Sequence, residues 1–317
     1  MSPEYFILTR AVHFGACLLL FGLLVFDRLT AAPTLAGDRW ELAAYWRSRL
    51  RLFQMILVPV IFFSGIFWFI LVTATMGDLP LRQALAPEIL QTVWSQTGFG
   101  TVWKWRLLFW CATTLVVPVA WLAKPQTALH RGLIWFELSL GACLLGSLAW
   151  AGHGQENSPW HLLADVLHLL VAGFWPTGLL PLFLLVRQLR RKPIGEQIPA
   201  LAALIRRFSA LSLASVALLV LTGWVNTWYL VGSFSNLVEQ PYGRWLLVKI
   251  AFFIIAVTIG AVNLLRLKPR LAPGKFPDAT AEVSSAQLQF NVQLELALGM
   301  AIIIIVAILG ILPPAVH

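Results

Sequence analysis

The sequence predicts an all-α, polytopic membrane protein with eight transmembrane helices, arranged as two four-helix repeats of parallel topology. Three observations carry this. The 317-residue chain is 59% hydrophobic and 12% charged, with a mean hydropathy of +0.80, far from the roughly 45–50% apolar and 25% charged of soluble domains. A hydrocarbon core about 30 Å thick needs about 20 mostly apolar residues per helix, and eight such runs occur, near 5–27, 50–76, 101–123, 131–151, 160–187, 205–231, 242–265 and 290–312. Short motifs also recur between the two halves of the chain at matching places along the spans.

The spans are separated by stretches rich in Pro, Gly and charge, such as "GDLPLRQALAPE", "AKPQTALHR", "RRKPIGEQIP" and "LKPRLAPGKFPD". The first run reads as a retained helix: Arg10 is its only early positive charge and basic residues follow it, the reverse of a cleaved signal peptide, although "AAPTLAG" is a weak cleavage lookalike. The segment "PEILQTVWSQTGFG" at 87–100 fits a short interfacial helix or a plain loop equally well. Most of Trp94, Trp103, Trp105, Trp160, Trp224, Trp228 and Trp245 are expected in an aromatic belt at the outer boundary.

A formal charge of +9 would point a soluble protein toward nucleic acid. Here the charge sorts by side of the membrane, so the expected partner is the lipid bilayer and not nucleic acid. Of the 23 Lys and Arg, 17 lie in or beside the loops after spans one, three, five and seven, from Arg28 and Arg39 to Arg270 and Lys275. Only Arg82 and Arg244 lie in loops on the other side. The positive-inside rule then places both termini outside the cytoplasm. Cys17, Cys111 and Cys143 all fall in apolar runs without CxxC spacing, so neither a disulfide framework nor a thiolate zinc site is expected.

The internal repeat divides the chain into 1–151 and 152–317. "ELSLG" at Glu137–Gly141 matches "ELALG" at Glu295–Gly299, and "FGTVWKWR" ending at Arg106 matches "YGRWLLVK" ending at Lys249. His13 pairs with His168, and Gly65 with Gly223. With an even number of spans per half, the repeats run the same way through the membrane and equivalent residues share a depth.

Ionisable groups at depth are costly and direct attention to function. His161, Asp165 and His168 follow i, i+4, i+7 spacing on one face of span five, and His153 lies in the loop above. Together with His13, if spans one and five face each other, they make a ladder of metal ligands descending from the outer surface. Neutral imidazole suits copper and other late first-row metals, and a neighbouring carboxylate can orient the ring or hold a proton. Alternatively, His13 and His168 at equal depth supply the axial ligands of a b-type haem that exchanges electrons with quinol or copper, with Arg106 and Lys249 at the propionates. Outside that reading, both basic side chains are expected to snorkel to the headgroups. Glu137 and Glu295 form an inner relay or pair with neighbouring helices. Met55, Met76 and Met300 do not cluster into a methionine-lined path. Without a GxxxxGK[ST] motif, transport would be passive or ion-coupled, and no enzymatic activity is expected.

Gly152–His153, then Asp165, His168, Trp175, Gly178–Leu179 and Pro181, with the later run "RFSALSLASVALLVLTGWVNTW" and "YGRWLLVKIAFF", resemble the copper resistance protein D (CopD) family of bacterial inner-membrane proteins, most strongly over 150–270. The resemblance implies movement of copper from periplasm to cytoplasm, often beside a periplasmic copper-binding partner of the CopC type. This chain has Trp175-Pro176-Thr177-Gly178 where the family commonly has Trp-x-Gly-Gly, and Pro176 predicts a kink in span five below His168.

Overall fold

A computed structural model describes residues 3–35, 39–124, 127–151, 158–192, 194–271 and 278–316, with the side chains of 194–197 and 278 left out. Every regular element among them is helical. Eight helices are long and apolar enough to cross a membrane: Pro3–Thr34, Trp40–Met76, Gly98–Leu122, Ala128–Ala151, Pro159–Leu189, Ile198–Val231, Pro241–Arg270 and Ala279–Leu309. They are spans one to eight. Each includes one of the expected runs or all but a few of its end residues, several extending further into the loops.

The span starts follow local chemistry. Thr97, Thr127 and Ser158 cap spans three, four and five, their hydroxyls accepting from Gly100 N, His130 N and His161 N; such caps satisfy one of the free amides at a helix start. Span five breaks where Pro176 predicts: one helix ends at Phe174 and the next begins at Leu179. The Thr177 hydroxyl donates to Gly173 O at 2.5 Å, satisfying a carbonyl at the break.

Span one lies at the centre, against spans two, four, five and eight. Its contact with span five is close because Gly22 has no side chain: a Cβ there would collide with Thr177 Oγ1 and Gly173 O. The remaining neighbours fall into corresponding pairs. Span one meets two as five meets six, three meets four as seven meets eight, one meets four as five meets eight, and one meets eight as five meets four.

A short helix precedes span three, Pro87–Gln96, and another precedes span seven, Phe234–Glu239. The first takes the interfacial-helix alternative for 87–100; the second is not expected from the sequence. Both fold back on the span that follows. Gly100 is pressed against the carbonyls of Val93 and Trp94, and Gly243 against those of Asn236 and Leu237, so that a Cβ at either would overlap backbone. This close approach is the physical reason for the glycine in both "FGTVWKWR" and "YGRWLLVK".

Candidate functional site

In the second half, spans five, six and seven converge on Asp165 and His168. The His168 ring lies over Gly223, whose missing side chain leaves the space; a Cβ there would stand 3.5 Å from His168 Cε1. His168 Nδ1 is 2.9 Å from Thr222 Oγ1. The Thr222 hydroxyl already donates its proton to Leu218 O at 2.7 Å, so it accepts from the ring, and Nδ1 carries the imidazole proton. The lone pair is thereby on Nε2, which no hydrogen bond reaches among the described residues. One turn above, Asp165 Oδ1 accepts from Asn226 Nδ2 at 3.1 Å. The other amide atom, Asn226 Oδ1, is buried with no hydrogen-bond partner. The Lys249 ammonium on span seven is the positive charge facing both Asp165 and His168.

His161 is 1% exposed and stacks on Tyr229 at 4.9 Å between ring centroids. It thus lies inside the bundle, on the same pair of helices as Asp165 and Asn226. His153 lies outside the described residues.

The first half has the same scaffold with different chemistry. His13 lies over Gly65, 3.2 Å from a Cβ placed there, and its Nδ1 is 2.9 Å from Ser64 Oγ. Ser64 donates to Val60 O at 2.5 Å, so this ring too carries its proton on Nδ1. Its Nε2, however, accepts from Arg106 Nη2. Where Asp165 stands one turn before His168, Arg10 stands one turn before His13, its guanidinium 5.1 Å from the Trp68 ring centroid. Trp68 in turn stands three residues after Gly65, as Asn226 does after Gly223.

Two expectations are corrected here. Arg106 does not snorkel: it is 2% exposed and donates to Leu144 O at 2.8 Å and Ser147 Oγ at 2.6 Å as well as to His13. Three acceptors inside the bundle outweigh the pull of the headgroups. Nor does His13 join His168. Spans one and five do touch, but His13 turns to spans two and three while His168 turns to span six, so they form neither one metal site nor an axial pair for haem. Among the described residues no three His, Cys, Asp or Glu gather into one cluster. Trp103, counted with the belt, is 8% exposed and packs on His13.

Toward the other end, Glu137 accepts from Gln54 Nε2, and Gln54 Oε1 accepts from Trp121 Nε1 at 2.9 Å. Glu295 accepts from Asn263 at 2.7 Å, and Asn263 from Asn291 at 2.7 Å. Each duplicated glutamate therefore ties its span to a neighbouring one. Asn226, Gln54, Asn263 and Thr222 are the residues that reading the sequence missed. Their signal was present, an amide or hydroxyl inside an apolar run, but uncharged polar residues in spans are common and point nowhere until a partner is known.

Two family models cover most of the chain: the copper resistance protein D-like N-terminal domain matches residues 1–164 and copper resistance protein D matches 202–309. Copper resistance protein D of Pseudomonas syringae pv. tomato is 31% identical over 69% of this chain and 70% of its own length. Copper transport protein CutJ of Bacillus subtilis (strain 168) is 28% identical over 73% of this chain, which spans 40% of that relative. Inner membrane protein YebZ of Escherichia coli (strain K12) is 26% identical over 96% of this chain and 97% of its own length. No solved structure matches. With one family model over half the chain and a second over much of the remainder, the chain belongs to the copper resistance protein D family.

Proposed function

We propose that this protein handles copper at the bacterial inner membrane and imports it from periplasm to cytoplasm, binding it in the second half of the bundle. The observation that carries the reading is the uncapped Nε2 lone pair of His168 on the same pair of helices as two oxygen acceptors, Asp165 one turn above it and Asn226 Oδ1, the latter buried without a donor. A cation supplies what the imidazole nitrogen and the amide oxygen lack. Neutral imidazole with its second nitrogen held by a hydrogen bond is the usual form of a metal-binding histidine. Imidazole with oxygen donors suits Cu(II) better than Cu(I), which favours thiolate and thioether. His161 and His153 serve as outer stations, and a periplasmic CopC-type protein is the donor. Lys249 holds the Asp165 charge while the site is empty and moves aside, or is repelled, when copper arrives.

The two halves are proposed to be duplicated units, 1–151 and 152–317, that have diverged. In the first, arginine occupies the carboxylate position and a second arginine caps the imidazole, which turns a cation site into a cationic one. His13 is therefore removed from the copper-binding set. The names of the copper resistance and copper transport relatives support the substrate class.

The test is copper binding by the purified protein in nanodiscs, with cellular copper accumulation at matched expression. His168→Ala should lose tight binding and lower accumulation, whereas His13→Asn should retain the binding stoichiometry. Unchanged binding in His168→Ala would overturn the site.

A further inference from the structure

Below His168 the second half contains a cavity of about 130 Å³ between spans five, six, seven and eight. Trp175, Leu179 and Leu182 line it, roughly two to four turns further along span five than His168. Ile205, next to Arg206 and Arg207 in the basic flank of span six, lines it as well, so it extends toward the side of the membrane that carries the basic loops. Glu295, 2% exposed, is the one ionisable side chain among the described residues of its lining. Its Oε1 accepts from Asn263 Nδ2 at 2.7 Å. Oε2 turns to Gly260, another wall residue, 3.4 Å from a Cβ placed there, and no hydrogen bond reaches it among the described residues. Unlike the Ser212 hydroxyl, which packing encloses, Oε2 keeps a surface open to the cavity.

The matching glutamate of the first half has company. Glu137 faces Asp27 and Arg28, and Asp27 stands fourteen residues after His13. Fourteen and fifteen residues after His168 stand Leu182 and Phe183, and Leu182 is a wall of the cavity. The second half thus has an apolar wall where the first has a charged pair, and its glutamate is alone: among the described residues no charged group of the packed spans faces Glu295 and no ion pair includes it. A carboxylate in so apolar a setting is costly until a positive charge reaches it. No imidazole, thiol or thioether lines the cavity among the described residues, so copper meets none of the nitrogen or sulfur ligands it favours. A proton needs only the one free oxygen that Oε2 offers. The cavity exceeds the roughly 10–15 Å³ that a water needs, and water can deliver the proton and take it away. We infer that Glu295 is the site of a coupling proton, which adds to Oε2 from cavity water and returns to it as copper is carried through the same half of the bundle. The coupling rests on the import reading above; the proton site rests on Glu295 and its cavity.

The first measurement is pH-difference infrared spectroscopy of the full chain in copper-free nanodiscs. A carboxylic C=O band should appear and vanish with pH, be lost in Glu295→Gln and return, shifted, in Glu295→Asp; Glu137→Gln should leave it in place. The second is copper uptake into proteoliposomes under an imposed pH gradient. Wild-type uptake should change several-fold with the gradient and Glu295→Gln uptake should not, although the copper affinity of that variant by chelator competition, which also verifies folding, should match wild type. An unchanged infrared difference in Glu295→Gln overturns the inference, as does an equal response of its uptake to the gradient. A band that responds to sodium at fixed pH and not to pH would assign a metal cation and overturn it too. Because the infrared arm uses no copper, wild-type proteoliposomes that take up none would overturn the import reading and its coupling, while the band still decides the proton site.

Discussion

One hydrogen bond separates the two histidines. Both carry the proton on Nδ1 because a neighbouring hydroxyl has already spent its own on a backbone carbonyl, yet only His13 has its remaining lone pair capped by a guanidinium. The difference yields two predictions. Asn226→Leu removes one oxygen and the donor that positions Asp165; losing an outer partner of this kind typically costs 10–100-fold in metal affinity, so copper affinity measured by chelator competition should fall by about that factor. Lys249→Met removes the positive charge facing Asp165 and His168. Even partly screened, a unit charge at close range is worth on the order of 1 kcal/mol or more, and copper should bind several-fold tighter by the same titration while cellular transport slows because release is impaired. A Lys249→Met protein with weaker copper binding would make Lys249 a ligand-positioning group instead. The sequence places His168 and Asp165 on one helix face correctly, from spacing alone. It does not reveal the state of their free atoms, since that depends on Thr222 and Asn226, 54 and 61 residues away. Nor can hydropathy distinguish an arginine that reaches the headgroups from one that turns to Leu144 O, Ser147 and His13.

At the scale of single helices, the informative elements are the two short ones that precede spans three and seven. Pro87–Gln96, with ten residues and a proline start, is long enough for a helix to stand as one of two readings, whereas six residues at Phe234–Glu239 are too few for any periodicity. What betrays the second is the glycine it presses on. Because Gly100 and Gly243 each touch the backbone of the preceding short helix, alanine at either position has to push that helix away, and overpacking of this kind costs about 1–3 kcal/mol. Gly100→Ala and Gly243→Ala should each lower the thermal unfolding midpoint of the detergent-solubilised protein. Gly132→Ala, at a position where a Cβ meets nothing within 4 Å, should not lower it. Equal midpoints in all three would mean that the short helices do not bear on the spans. The number and places of the spans and the break at Pro176 were legible because they depend on local composition, and the lateral neighbours were not, because any apolar face can be buried against protein or lipid.

For the molecule as a whole, charge supplies the orientation that packing cannot. Contacts among the spans are the same whichever way up the bundle sits, so the orientation is read from the distribution of Lys and Arg, 17 of 23 on one side. The exposed Asp78 lies after span two and the exposed Lys124 after span three, on opposite faces of that division. If both termini are periplasmic, Asp78→Cys should react with a membrane-impermeant maleimide in intact spheroplasts, and Lys124→Cys only after lysis. The background is Cys111→Ser with Cys143→Ser, which removes the two exposed thiols and leaves the buried Cys17. The reverse pattern would invert the bundle and turn the end of span five that carries Asp165 and His168 to the cytoplasm. The same residues would then describe a copper exit route. Orientation and direction of transport are thus one question for this fold, because the candidate site lies nearer one end of span five, and the labelling decides which compartment that end faces before any flux is measured.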